Sequence, residues 1–174
     1  TEVENWKFTP KLQTQAETRL NKIKSEFKND NPIISIHMRR GDYLLPQFPY
    51  CELGSEYYTK AIIENFMPYN EYNFLVFSND IEYSKSLLEG DNVYFVEPKG
   101  GTKVCTDTEK EDLVLLSLCD HHIIANSSYS WWGAFLSKNN NKKIVCPTNY
   151  VKPNHPSLFI NGNYFPPNWI NIDN

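Results

Sequence analysis

Residues 33–45 read IISIHMRRGDYLL. The first six positions are apolar or small and rich in β-branched side chains, which predicts a short strand buried on both faces. The strand then runs into His37, Arg39 and Arg40, in a chain whose formal net charge is −4. Runs of the same kind recur at 73–78 (NFLVFS), 93–97 (VYFVE), 121–125 (HHIIA) and 142–147 (KKIVCP). Stretches with helical spacing lie between them, at 55–67, 81–88, 108–119 and 126–138, and an amphipathic stretch at 11–28 comes before the first strand. Asp80 is placed to cap the helix from 81, and Thr108 with Glu111 forms a capping box for the helix from 108. Strands that alternate with helices imply an α/β fold with a doubly wound, mostly parallel sheet, and such sheets bind ligands beyond the carboxyl ends of their strands. The proline- and asparagine-rich tail from residue 148 predicts irregular chain wrapped over the surface.

Composition narrows the function. The length of 174 residues suits one domain with a terminal piece, here residues 1–30 as linker and helix and 31–174 as the ligand-binding unit. Mild acidity excludes a general nucleic-acid binder, so any anion site is local. No apolar run approaches the ~20 residues that span a bilayer, and the opening TEVENWKFTP has no signal-peptide pattern. A cytoplasmic bacterial protein is expected, with attachment to the inner membrane face left open. Cysteines at 51, 105, 119 and 146 lack metal-ligand spacing and read as reduced thiols.

Three constellations could do chemistry. In HMRRGDY (37–43), alternation along a strand sends His37 and Arg39 to one side and Arg40 to the other. One arginine could grip a phosphate with its planar fork while its neighbour pairs with Asp42 or another acid. Gly41 lets the backbone turn sharply there. The embedded Arg40-Gly41-Asp42 spells an adhesion tripeptide, but that role needs an exposed loop, and this one abuts a buried strand. In NSSYSWWG (126–133), Asn126, Ser127 and Ser128 precede a helix whose unpaired N–H groups and dipole attract anions. They serve either as a plain cap or as a phosphate site. In EKEDLVLLSLCD (109–120), Asp112 either complements the helix dipole or accepts from the N1–H and 2-amino group of a guanine. Asp80, ending FSND (77–80), either contacts a ribose or only caps the next helix. Two anion sites on one sheet edge suggest a diphosphate. GxxxxGK[ST] and GxGxxG are both absent, which disfavours a P-loop nucleotidase and a dinucleotide dehydrogenase and leaves a nucleotide-sugar.

The blocks HMRRGDY (37–43), FSND (77–80), DLVLLSLCDHHIIANSSYSWWGAFL (112–136) and PNWINI (167–172) together resemble the α-1,2-fucosyltransferases of glycosyltransferase family 11. The resemblance implies a two-domain GT-B enzyme of which this chain is the C-terminal half. Residues 31–174 would be its Rossmann-like, GDP-fucose-binding domain, and an N-terminal domain that helps hold the acceptor would be missing. The implied reaction is inverting transfer of L-fucose from GDP-β-L-fucose to the 2-hydroxyl of a galactoside in an oligosaccharide acceptor. It needs no cofactor and no metal, and the acidic DxD pair that would hold a metal is absent. Arg39 and His37 would contact the diphosphate and carry catalysis, Ser127 and Ser128 would bind phosphate, and Asp112 would read the guanine. Arg40, Asp42, Asp80 and Asn126 would complete the donor site. The acid that α-1,6 relatives place a few residues past their arginine pair falls here on Gln47, which cannot act as a base; Asp42, Glu52 and Glu56 are the substitutes. Two rival readings are a transferase of another GDP-linked sugar and a GDP-binding module without transfer activity.

Overall fold

A computed structural model describes residues 6–97, 107–152 and 164–174. Helices and strands alternate along them: α1 (Pro10–Phe27), β1 (Ile33–Met38), α2 (Ser55–Asn65), β2 (Asn73–Ser78), α3 (Ile81–Leu87), β3 (Val93–Val96), α4 (Asp107–Ser117), β4 (His121–Ile123), α5 (Ser128–Leu136), β5 (Ile144–Pro147) and β6 (Ile170–Ile172). Single turns of 3-10 helix occupy Gly41–Leu44 and Tyr69–Glu71.

The strands form one sheet in the order β3-β2-β1-β4-β5-β6, and every neighbouring pair is parallel. The chain starts in the middle, winds outward through β2 and β3, crosses back, and winds the other way through β4, β5 and β6. That is the doubly wound Rossmann-like order, with its topological switch between β1 and β4. The carboxyl ends of these two strands are neighbours, with Ile36 opposite Ile123, and the chains leaving them part to opposite sides.

Burial on both faces explains the continuous apolar runs. Ile34, Ile36, Phe74 and Val76 pack under Tyr57, Tyr58, Ala61 and Ile62 of α2, with Tyr83 and Leu87 of α3 at the side. Ile33, Leu75 and Phe77 pack on the opposite face against Leu20, Ile23 and Phe27 of α1 and Val114 and Leu115 of α4. The amino-terminal helix is thus part of this core. Ile144 and Cys146 of β5 meet Ala134 of α5, Phe165 and Trp169. Gly133 lets α5 approach α4, because a Cβ there would lie 2.6 Å from Leu116 Cδ2.

Two expectations need correction. The tail adds a sixth strand, β6, paired with β5 from Val145 opposite Ile170 to Pro147 opposite Ile172. Three residues give a single period of alternation, too little to read as a strand. α4 begins at Asp107, so Thr108 lies inside the helix and does not cap it, and Glu111 faces Arg19 at 3.4 Å. The Arg40 side chain is only 15% exposed and packed, so the adhesion tripeptide is not presented. Cys51, Cys119 and Cys146 are free thiols, as expected; Cys105 and the Gly100-Gly101 loop lie outside the described residues.

Candidate functional site

β1 leaves the sheet through Arg39, Arg40 and the turn at Gly41–Leu44. Gly41 has φ +65°, and a Cβ on it would lie 2.8 Å from Asn79 Nδ2, so both the backbone conformation and the space require glycine. Asn79 clamps this turn, accepting from Arg40 N at 2.8 Å and donating to Arg40 O at 3.1 Å. FSND and RRGD are therefore one device: the end of β2 shapes the end of β1.

The two arginines part as strand alternation requires. Arg40 lies over the Tyr83 ring at 3.6 Å, donates to Asp80 Oδ2 at 3.3 Å and pairs with Glu52 at 3.4 Å. Asp80 also caps α3, accepting from Tyr83 N at 3.1 Å. Arg39 commits one nitrogen, Nη2, to Asp42 Oδ1 at 2.5 Å. Its side chain is 32% exposed, and its other guanidinium nitrogens have no hydrogen-bond partner among the described residues.

His37 is buried beside Arg39. Tyr58 Oη donates to its carbonyl at 3.2 Å, and its ring lies 5.4 Å from Tyr129 in the first turn of α5. Burial, and then the Arg39 charge, push its pKa down to about 3, so the ring is neutral at physiological pH. Its Nδ1 is buried without a hydrogen-bond partner among the described residues.

β4 leads to the other half of this edge. Asn126 is fully buried, and its Nδ2 donates to Cys51 O and Tyr150 O, each at 2.8 Å. Asn126 is thus a strut that ties the β4–α5 junction to two loops, and its Oδ1 is buried without a partner among the described residues. Ser127 is the N-cap of α5, but its hydroxyl makes no cap bond and lies beside the Tyr43 phenol. Ser128 is exposed at the first position of the helix.

Tyrosines that the sequence did not single out join these halves. Arg39 lies over the Tyr43 ring at 5.0 Å; Tyr43 stacks on Tyr50 at 3.9 Å and 10°; Tyr50 meets Tyr150 edge-on at 6.2 Å. Burial, and then the Tyr50 phenol, raise the pKa of Tyr43. The signal that could have found them is the tyrosine closing HMRRGDY, which a bare anion site does not need.

Two more candidates stand on α4 and α2. Asp112 of α4 pairs with Arg19 of α1 at 2.5 Å, and Glu56 stands exposed in the first turn of α2. Two clefts lie away from the switch point. One of about 1280 Å³ runs between α1, β3 and α4, and one of about 700 Å³ opens beside Trp6 and the carboxyl end of α5. Neither is lined by His37, Arg39, Ser127 or Ser128. None of the described helices is long and apolar enough to cross a membrane.

This edge can hold an anion from two sides, a guanidinium on one and a helix start on the other. The chain is similar to known proteins. The chain is 33% identical over 145 residues to the O-antigen biosynthesis glycosyltransferase WbnK of Escherichia coli, covering 79% of this chain and 44% of that protein. It is 32% identical over 148 residues to an alpha-1,2-colitosyltransferase of Escherichia coli, covering 80% and 47%. Human galactoside alpha-(1,2)-fucosyltransferase 1 is 26% identical over 169 residues, covering 93% and 45%. The chain thus spans less than half the length of these relatives. The family model described as Glycosyl transferase family 11 matches residues 2–173. Because that match runs through both strand ends at the switch point and on to the last strand of the sheet, the chain belongs to glycosyltransferase family 11.

Proposed function

We propose that this chain is the GDP-sugar-binding half of an inverting transferase that moves L-fucose from GDP-β-L-fucose to the 2-hydroxyl of a galactoside. One observation carries the reading: Arg39 and the start of α5 flank the switch point of the sheet, linked through Tyr43. A diphosphate at that point meets a forked cation on one side and backbone N–H groups on the other.

In the proposed reaction the acceptor oxygen attacks the anomeric carbon as its bond to the β-phosphate oxygen breaks. The electron pair leaves with GDP, so negative charge grows on the β-phosphate. Arg39 and the α5 donors stabilise that charge more in the transition state than in the ground state. This compensation calls on no metal. His37 is neutral and supplies a hydrogen bond, with no charge of its own. A base must take the acceptor proton. Asp42 is committed to Arg39 and Glu52 to Arg40, so each acts as base only by loosening its arginine; Glu56 is unencumbered by either. Guanine recognition by Asp112 requires its carboxylate to be shared with Arg19.

Titrating the chain with GDP, GDP-fucose and UDP tests the reading. GDP and GDP-fucose are expected to bind alike, UDP about tenfold or more weakly, and a chelator to change nothing. Equal binding of UDP, or no binding of any of the three, overturns it. The colitosyltransferase among the relatives favours a second reading, a GDP-linked sugar other than fucose, which a panel of donors offered with a galactoside separates from the first.

A further inference from the structure

We propose that Tyr43 is a positioning residue that fixes Arg39 relative to the start of α5, so that the two halves of the diphosphate cradle keep one separation. The inference rests on the donor reading above and gives the side chain that links its two halves a task of its own. Arg39 has one ion pair among the described residues, with Asp42. Asp42 sits three residues away on the same turn, so it orients the guanidinium within that turn but cannot fix it against α5. Tyr43 does both. Its ring carries the Arg39 guanidinium 5.0 Å from its centroid and stacks on the Tyr50 ring at 3.9 Å. Its phenol lies near the hydroxyl of Ser127, the N-cap of α5, without a hydrogen bond between them.

The support behind it leads to the same helix start. Tyr50 bridges to Val151, and the carbonyls of Cys51 and Tyr150 both accept from Asn126, the residue before that N-cap. Arg39, Tyr43, Tyr50 and Asn126 thus make one path from the end of β1 to the end of β4. A cation over an aromatic ring keeps its plane and its distance, which an exposed arginine otherwise does not.

A double-mutant cycle read by calorimetric GDP titration tests this. Tyr43→Leu is expected to lower GDP affinity about tenfold. Tyr43→Phe keeps the ring and should recover most of that loss. In an Arg39→Met background, adding Tyr43→Leu should cost nothing further, because the group being positioned is gone. A merely structural tyrosine gives additive losses instead, and that result, or wild-type affinity in Tyr43→Leu, overturns the inference and leaves the donor reading intact. Wild-type affinity in Arg39→Met alone overturns the donor reading and the inference together. Should Tyr43→Leu fail to fold, Tyr43→Met takes its place in the same cycle.

Discussion

The two edges of this sheet use their polar side chains in opposite ways. At the amino edge they close the fold. Asp120 Oδ2 accepts from Ile33 N, and Asp120 N donates to Ile33 O, each at 2.8 Å. Asn139 Nδ2 holds Asp120 O at 2.9 Å, and Asn73 Nδ2 reaches Asn29 Oδ1 at 2.7 Å and Asn31 O at 3.3 Å. At the carboxyl edge, donors point outward. Arg39 keeps guanidinium nitrogens without partners among the described residues, and Ser128 is exposed. Buried polar atoms without a partner among the described residues occur at both edges, Asn73 Oδ1 and Ser137 Oγ as well as His37 Nδ1 and Asn126 Oδ1, so the contrast rests on the uncommitted nitrogens of Arg39 at the switch point.

The largest expected effect strikes both regions at once. His37 at the carboxyl edge and His122, paired with Ser35 inside the sheet at 2.7 Å, are buried and neutral, each with its pKa pushed from 6.5 to about 3. The unfolded chain takes up protons on both rings below about pH 6.5, whereas the fold does so only near 3. Stability is therefore complete above pH 6.5 and drains as the pH falls toward 3. The two rings together remove on the order of 4 kcal/mol between pH 7 and pH 5. Urea unfolding at those two values measures it; an unchanged midpoint means the rings are not buried as described.

Arg39→Met separates the edges. It should weaken GDP binding about a hundredfold, ~3 kcal/mol, while changing stability by less than about 0.5 kcal/mol, since the pair with Asp42 is exposed. A large loss of stability with unchanged GDP affinity would make Arg39 a fold residue and dissolve the contrast.

Asp120→Ala is the converse, and the smallest of the three. It leaves the buried Ile33 N–H without an acceptor and should cost about 2 kcal/mol of stability, with GDP affinity of the folded protein untouched. Weaker GDP binding at full stability would show that the amino edge also serves the ligand.

How much of this could be read in advance follows from the range of each interaction. β1, β2 and β5 were legible because burial on both faces leaves short apolar runs. β6 was not, because Ile170-Asn171-Ile172 offers one alternation and depends on pairing with Cys146 and its neighbours. The strand order came only from the crossover, since alternation implies parallel strands without saying which are adjacent. At the site, strand alternation separated Arg39 from Arg40, but both arginines are paired, Arg39 with Asp42 and Arg40 with Asp80 and Glu52, where only the arginine turned from the ligand was expected to be. Asn126 as a strut was invisible because Cys51 and Tyr150 are tens of residues away in sequence, and Tyr43 as a bridge because its nearness to Ser127 depends on how the two strand ends meet. Asp112 was readable as an acid at a helix start, but its pairing with Arg19 depends on how α1 packs.

The central claim is that Arg39 and the start of α5 hold the same diphosphate. A crystal structure of this chain with GDP tests it most directly. The account predicts the β-phosphate between the Arg39 guanidinium and the backbone N–H groups at Ser127 and Ser128. A diphosphate seated in the cleft between α1, β3 and α4, with Arg39 touching only Asp42, would contradict it.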